Sequence, residues 1–180
     1  MWIAIAIIVI LLLWVAATYN KLVKARNKVK DQWSQIDVQL KRRFDLIPNL
    51  VETVKGYAKH ESETLEKVIE ARNTYLTANT PDAQMKADGE LTQAISKLFA
   101  LTESYPELKA NTNFTSLQTE LSETEDKIAY ARQFYNDTVL QYNNTVELFP
   151  TVLIAGLLGF KSEKFIEAAE KERENVKVQF

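Results

Sequence analysis

The sequence predicts an all-α protein: an N-terminal single transmembrane helix followed by an up-and-down four-helix bundle of long helices. Three observations carry that expectation. Residues 2–17, WIAIAIIVILLLWVAA, form a run without one polar side chain. Beyond it, apolar residues recur at three- and four-residue spacing, the period of a helix that buries one face. Only four glycines and four prolines occur in 180 residues, too few for a turn-rich β fold. The expected boundaries are an anchor over 1–19, a helical bundle over 20–149, and a terminal region over 150–180. That last region joins an apolar, glycine-containing segment to a short amphipathic helix.

The anchor comes first. From Trp2 to Tyr19 a helix rises about 26 Å, enough for a slightly thinned hydrocarbon core of ~27–30 Å. Trp2 at one end, and Trp14 and Tyr19 near the other, stand where aromatic rings favour the headgroup level, with Lys21 and Lys24 following at the polar edge. A cleaved signal peptide would begin with a positive segment; only Met1 precedes this apolar run, so retention is expected. The first 30 residues hold no acid and five bases, Lys21, Lys24, Arg26, Lys28 and Lys30. The positive-inside bias then places the N-terminus outside and the domain in the cytoplasm, with a periplasmic domain as the alternative.

The remaining residues carry all 24 acids against 17 of the 22 bases, an acidic surface with no footprint for nucleic acid. With no cysteine there is no disulfide framework or thiolate metal site, and a single histidine, His60, offers little for zinc or base catalysis.

After the anchor, Leu22, Val29, Trp33, Ile36, Leu40, Ile47, Leu50, Val54 and Tyr57 make one helical stripe. Pro48 removes a backbone donor and crowds the carbonyl of Phe44, which predicts a kink or a restart there. Asn49 is placed to bond that freed carbonyl. Gly56 and the polar run to Ser62 predict a break, with Ser62 capping a second helix to about Ala78. Thr80-Pro81-Asp82 is a start signal for a third helix running to about Ser104. Tyr105-Pro106 ends it, and Asn111 to Asn113 offer caps for the fourth. From Phe114 to Phe149 a three-four rhythm persists, closed by Pro150. Residues 151–160, TVLIAGLLGF, are then almost wholly apolar, too short to span a bilayer and interrupted by Gly156 and Gly159. Lys161 onward returns to a short amphipathic pattern.

Arg43 is the most conspicuous polar residue, because it falls on the apolar stripe midway between Ile36 and Leu50. It reads either as a partner-binding arginine in a groove or, preferably, as the partner of a buried acid from another helix. Trp33 reads as core and His60 as a surface turn. The carboxylates from Glu120 to Asp126 lack the Glu-x-x-His spacing of a di-iron bundle. The apolar segment is the best functional lead. Phe149, Leu153, Ile154, Leu157, Leu158 and Phe160 either cap one end of the bundle or contact membrane or another subunit. With four helices of alternating direction, this segment would return beside Tyr19 and the basic cluster; with three long helices it would lie at the far tip instead.

Three long blocks also carry a resemblance. YNKLVKARNKVKDQWSQIDVQLKRRFDLIPNLVETVKGYAKHE (19–61), LFALTESYPELKANTNFTSLQTELSETEDKIAYARQFYN (98–136) and FPTVLIAGLLGF (149–160) resemble, in order, the conserved blocks of the LemA family. The resemblance implies a helical bundle behind one membrane anchor at the bacterial cytoplasmic (inner) membrane, with a membrane protease or other envelope protein as a possible partner. Many relatives carry a lipoprotein-type cysteine just before the Tyr-Asn pair; here Thr18 stands there, which takes the lipid-anchored version away from this chain. The expected function is a non-enzymatic, cofactor-free scaffold that self-associates as a homo-oligomer or recruits envelope proteins at the lipid bilayer. The alternative is a membrane-shaping or envelope-stress protein whose 151–160 segment touches lipid.

Overall fold

A helix begins at Trp2 and does not stop until Lys55, so the apolar run and the amphipathic stripe behind it belong to one 54-residue helix, α1. This is seen in a computed structural model that describes residues 1–58 and 60–167. The elements that follow are α2 (Ser62–Thr77), α3 (Pro81–Thr102), the single turn α4 (Pro106–Lys109), α5 (Thr112–Glu147) and the single turn α6 (Val152–Ala155). Among the described residues there is no strand.

The helix runs through Pro48 without a restart. Proline frees the carbonyl of Phe44, and that oxygen accepts a hydrogen bond at 3.3 Å from Nε of Arg72 on α2. Asn49 is not the repair; it is exposed, and its own carbonyl accepts the Thr53 hydroxyl at 2.8 Å. The α3 cap forms as its sequence predicts, with Ala83 N–H donating to Thr80 Oγ1 at 3.2 Å and Pro81 in the first turn. Ser62 does not cap α2; it lies inside the helix, after Glu61, which makes no side-chain cap bond. Asn111 caps α5, its Oδ1 accepting from Phe114 N–H at 3.0 Å. Residues 161–167 are not helical, contrary to the amphipathic helix expected from Lys161, and the remainder of that region lies outside the described residues.

The chain divides into two compact units, and α1 and α5 each contribute to both. One unit comprises Met1–Gln35 and Ala131–Phe165. Its core is built from Leu22 and Val29 of α1 and from Tyr135, Val139, Tyr142 and Val146 of α5, all buried. Trp33 meets Tyr135 edge to face, with ring centroids 6.0 Å apart. Among the described residues the other unit comprises Ile36–Tyr130 with Ile166 and Glu167. There Ile36, Leu40, Phe44, Ile47, Leu50 and Val54 of α1 lie buried, together with Leu65 and Val68 of α2, Leu91, Ile95 and Leu98 of α3, and Phe114, Leu121 and Ile128 of α5. Each fully buried Leu or Ile of such a stripe contributes about 1.5–3 kcal/mol.

Within this second unit the contacts set the directions of the helices. Tyr57 accepts from Asn111 Nδ2 at 2.9 Å, and Arg43 meets Glu125 at 3.3 Å, so α5 runs opposite to α1. Phe44 stacks on Tyr75, which reverses α2, and the pairs Arg43–Asp88 and Glu61–Tyr105 run α3 alongside α1.

Candidate membrane-facing site

After α5 ends at Glu147, the chain takes helical hydrogen bonds again, Val152 N–H to the Leu148 carbonyl and Leu158 N–H to the Ile154 carbonyl. It then turns back at Gly159. This glycine has φ +76°, a left-handed conformation that costs an L-residue roughly 1–2 kcal/mol. Phe160 N–H bonds the Ala155 carbonyl at 3.0 Å, and Gly159 N–H bonds the Gly156 carbonyl at 3.2 Å. That pair of bonds is a Schellman stop, in which the residue after the glycine is apolar and folds inward. Gly159 is therefore a requirement of the turn. Gly156 is helical, and nothing lies within 4 Å of a Cβ placed on it.

Phe160 lands on α1. Its ring lies 5.8 Å from that of Tyr19, edge to face, with the Arg26 guanidinium 4.8 Å from its centroid, and only 3 % of the residue is exposed. A polar clamp holds the returning strand of chain. The Tyr142 hydroxyl donates to the Lys161 carbonyl at 2.9 Å, and the Asn143 amide both donates to the Glu163 carbonyl and accepts from Glu163 N–H, at 2.9 and 2.8 Å. Ser162 also hydrogen-bonds Glu147.

What the segment leaves outside is apolar. Phe149 is 79 % exposed, Leu153 62 % and Leu157 87 %, while Leu148 and Val152 are also exposed. Ile154 and Leu158 are half-buried and Ala155 is buried. No charged residue occurs between Leu148 and Phe160. The segment thus has one seated face and one bare face. The membrane-interface residues named from the sequence share α1: Trp2, Tyr19, Lys21 and Lys24 are exposed, and Trp14 is half-buried.

Arg43 lies elsewhere and inside. Its guanidinium meets Asp88 of α3 at 2.7 Å and Glu125 of α5 at 3.3 Å, with 1 % of its side chain exposed. A side chain this buried has no surface for another protein, so the groove reading gives way to an internal ion pair. Nearby, Tyr75 stacks on Phe44 at 3.8 Å and donates to Asp37; burial first, then the Asp37 carboxylate, pushes its hydroxyl up to about 12. Sequence reasoning missed Asp88 as the partner, although an acid three residues before Leu91 on a buried face was the available signal. It also missed the Tyr142–Asn143 clamp, for which no local signal existed.

The LemA family model matches residues 32–180. The chain belongs to the LemA family. This LemA-family chain is 27 % identical over 161 residues to Protein LemA of Metamycoplasma hominis, covering 87 % of its own length and 72 % of that relative. It is 25 % identical over 175 residues to Magnetosome protein MamQ 2 of Paramagnetospirillum magneticum, covering 83 % of itself and 64 % of that protein. Magnetosome protein MamQ of Magnetospirillum gryphiswaldense is 24 % identical over 173 residues, with 82 % and 64 % covered. The chain therefore spans less than two thirds of the MamQ relatives. With an apolar span at the head of α1, it is a membrane-associated, all-helical member of the family.

Proposed function

We propose that this LemA-family protein is a non-enzymatic scaffold, tied to the membrane by α1 and assembled by self-association or by recruiting envelope proteins. The observation that carries the reading is the continuity of α1: the bare apolar span and the buried stripe from Leu22 to Val54 lie on one unbroken helix. A helix that is at once the anchor and the core of the domain transmits position, not chemistry. Among the described residues, no group of three or more His, Asp or Glu side chains clusters as metal ligands. The polar residues that are buried serve helix packing, as Arg43 does. Tyr130 and Phe134 stand exposed one turn apart on α5 as an aromatic pair. Relatives named Protein LemA and Magnetosome protein MamQ 2 match most of this chain, which supports a membrane-associated role.

The test uses the full chain in lipid nanodiscs and in intact membranes. Native mass and cross-linking should give a discrete oligomer that the pair Tyr130→Lys, Phe134→Lys reduces to monomer. A wild-type monomer at every concentration, with no cross-linked product in membranes, overturns the scaffold. Orientation is part of the same reading: the domain lies in the cytoplasm, on the side of Lys21 to Lys30. Because the chain has no cysteine, a single Asn79→Cys in the exposed α2–α3 connection reports it cleanly, and labelling from outside intact cells reverses the assignment. A membrane-shaping role is the second reading, favoured by the bare Leu153 and Leu157.

A further inference from the structure

The two antiparallel stretches of the anchor-bearing unit have a readable register. Trp33 faces Tyr135, so at equal rise along α1 and α5 the end of α5, Glu147, comes level with Lys21. The chain returns to that same level by Phe160, which sits on Tyr19 and under Arg26. Between those two points lie residues 148–159, which leave α5 through a bend and a turn, form the helical turn Val152–Ala155 and reverse at Gly159.

Burial along α1 says where they go. From Ile3 to Leu13 the large side chains of the span are exposed, yet Thr18 is buried and Trp14 and Val15 are half-buried. These positions, one turn apart, share a face with the buried Leu22. Only residues 131–165 join α1 in this unit, and those before Glu147 are level with Lys21 or later residues. Among the described residues, the segment ending at Phe160 is the part of the chain placed to cover Trp14, Val15 and Thr18.

We infer that residues 148–159 form a lipid-inserted hairpin, a second membrane attachment that dips into the bilayer against the last turns of the anchor. The occupant of its bare face is lipid, because the face is continuous with the anchor's own. Leu148, Phe149, Val152, Leu153 and Leu157 project from a segment lying alongside Trp14 to Thr18, and those residues already belong to the span. From Thr18 back to Trp14 is about 6 Å of helix, within the ~5–10 Å depth at which interfacial segments bury their apolar faces. Charge agrees in the segment itself, which has none from Leu148 to Phe160; at its edges stand Lys161, Lys21 and Lys24, positive as favoured at a headgroup surface, together with one acid, Glu147. Its own helical turns and the Schellman stop pair most N–H groups from Val152 to Phe160, which lowers the cost of insertion. The inference rests on the membrane-anchored part of the function proposed above and is independent of self-association.

The absence of native cysteine makes the test direct. The full chain, with one cysteine at a time and a nitroxide attached, is reconstituted in vesicles of phosphatidylcholine and phosphatidylglycerol. Labels at Leu153 and Leu157 should be relaxed by oxygen and protected from a water-soluble nickel complex, as a label at Leu12 is and a label at Asn79 is not. Labels at 153 and 157 that meet the nickel complex as freely as Asn79, while Leu12 stays in lipid, overturn the hairpin and leave the anchor standing. Labels shielded from both reagents overturn it in favour of a protein contact, a second copy included. A water-exposed label at Leu12 overturns the anchor itself.

Discussion

Arg43→Met removes a cation whose side chain is 1 % exposed while leaving Asp88, 8 % exposed, in place. A buried pair broken on one side costs about 3–5 kcal/mol, because the remaining carboxylate loses the guanidinium 2.7 Å away in a poorly solvated site. Glu125 is half exposed at 50 % and lies farther off, at 3.3 Å, so water can take over its role. Glu125→Gln is therefore expected to cost only about 0–1 kcal/mol. The double variant Arg43→Met, Asp88→Leu removes both buried charges and should recover most of the loss. Coupling between the two sites is then about 2–3 kcal/mol relative to additivity. The assay is urea unfolding of the full chain in mild detergent, followed by helical circular dichroism, over the complete mutant cycle. An additive double variant, or a Glu125→Gln loss equal to that of Arg43→Met, would refute an internal pair centred on Asp88.

Gly159→Ala should destabilise the returning turn by about 1–2 kcal/mol through backbone strain alone, since no atom lies within 4 Å of the added Cβ. Gly156→Ala, at a helical φ of −62°, is expected to be neutral or stabilising by about 0.5–1 kcal/mol in the same thermal unfolding experiment. Asn143→Ala breaks both hydrogen bonds to Glu163, and limited trypsin digestion should then cut at Lys161 and Lys164 several-fold faster while the α2–α3 region keeps its resistance. The Tyr75 hydroxyl is held neutral in the fold up to about 12 against an ordinary value of 10.0. Its contribution is fully present below pH 10 and lost as pH rises from 10 toward 12, so Tyr75→Phe should flatten the stability curve across that window.

Much of the helical framework was legible from local pattern. The stripe from Leu22 to Val54, the Thr80-Pro81 start and the apolar run at Trp2 each rest on side-chain period or on a capping hydroxyl, interactions made within a few residues. The errors also have physical reasons. Pro48 was expected to interrupt α1 because one helix alone has nothing to offer the Phe44 carbonyl; Arg72, on a different helix, has. The turn α4 was missed because Pro106 both ends α3 and opens a helical turn too short to show a period. In the candidate site, the apolar character of residues 149–160 was plain, but its division into a seated and a bare face was not. Ile154 and Leu158 differ from Leu153 and Leu157 only in which way the folded chain turns them.

By itself the sequence determined that the chain is helical, where its apolar span lies, and most of the buried stripe from Leu22 to Val54, because those properties follow from hydrophobic period and local backbone chemistry. Tyr57 and Phe149, placed on the same periods, are exposed. Tertiary structure decided the partners: Asp88 for Arg43, Tyr19 and Arg26 for Phe160, Glu163 for Asn143. Each of these depends on the direction and register of segments distant in sequence, which local propensity does not encode. That same register brings Phe160 back onto Tyr19 of α1.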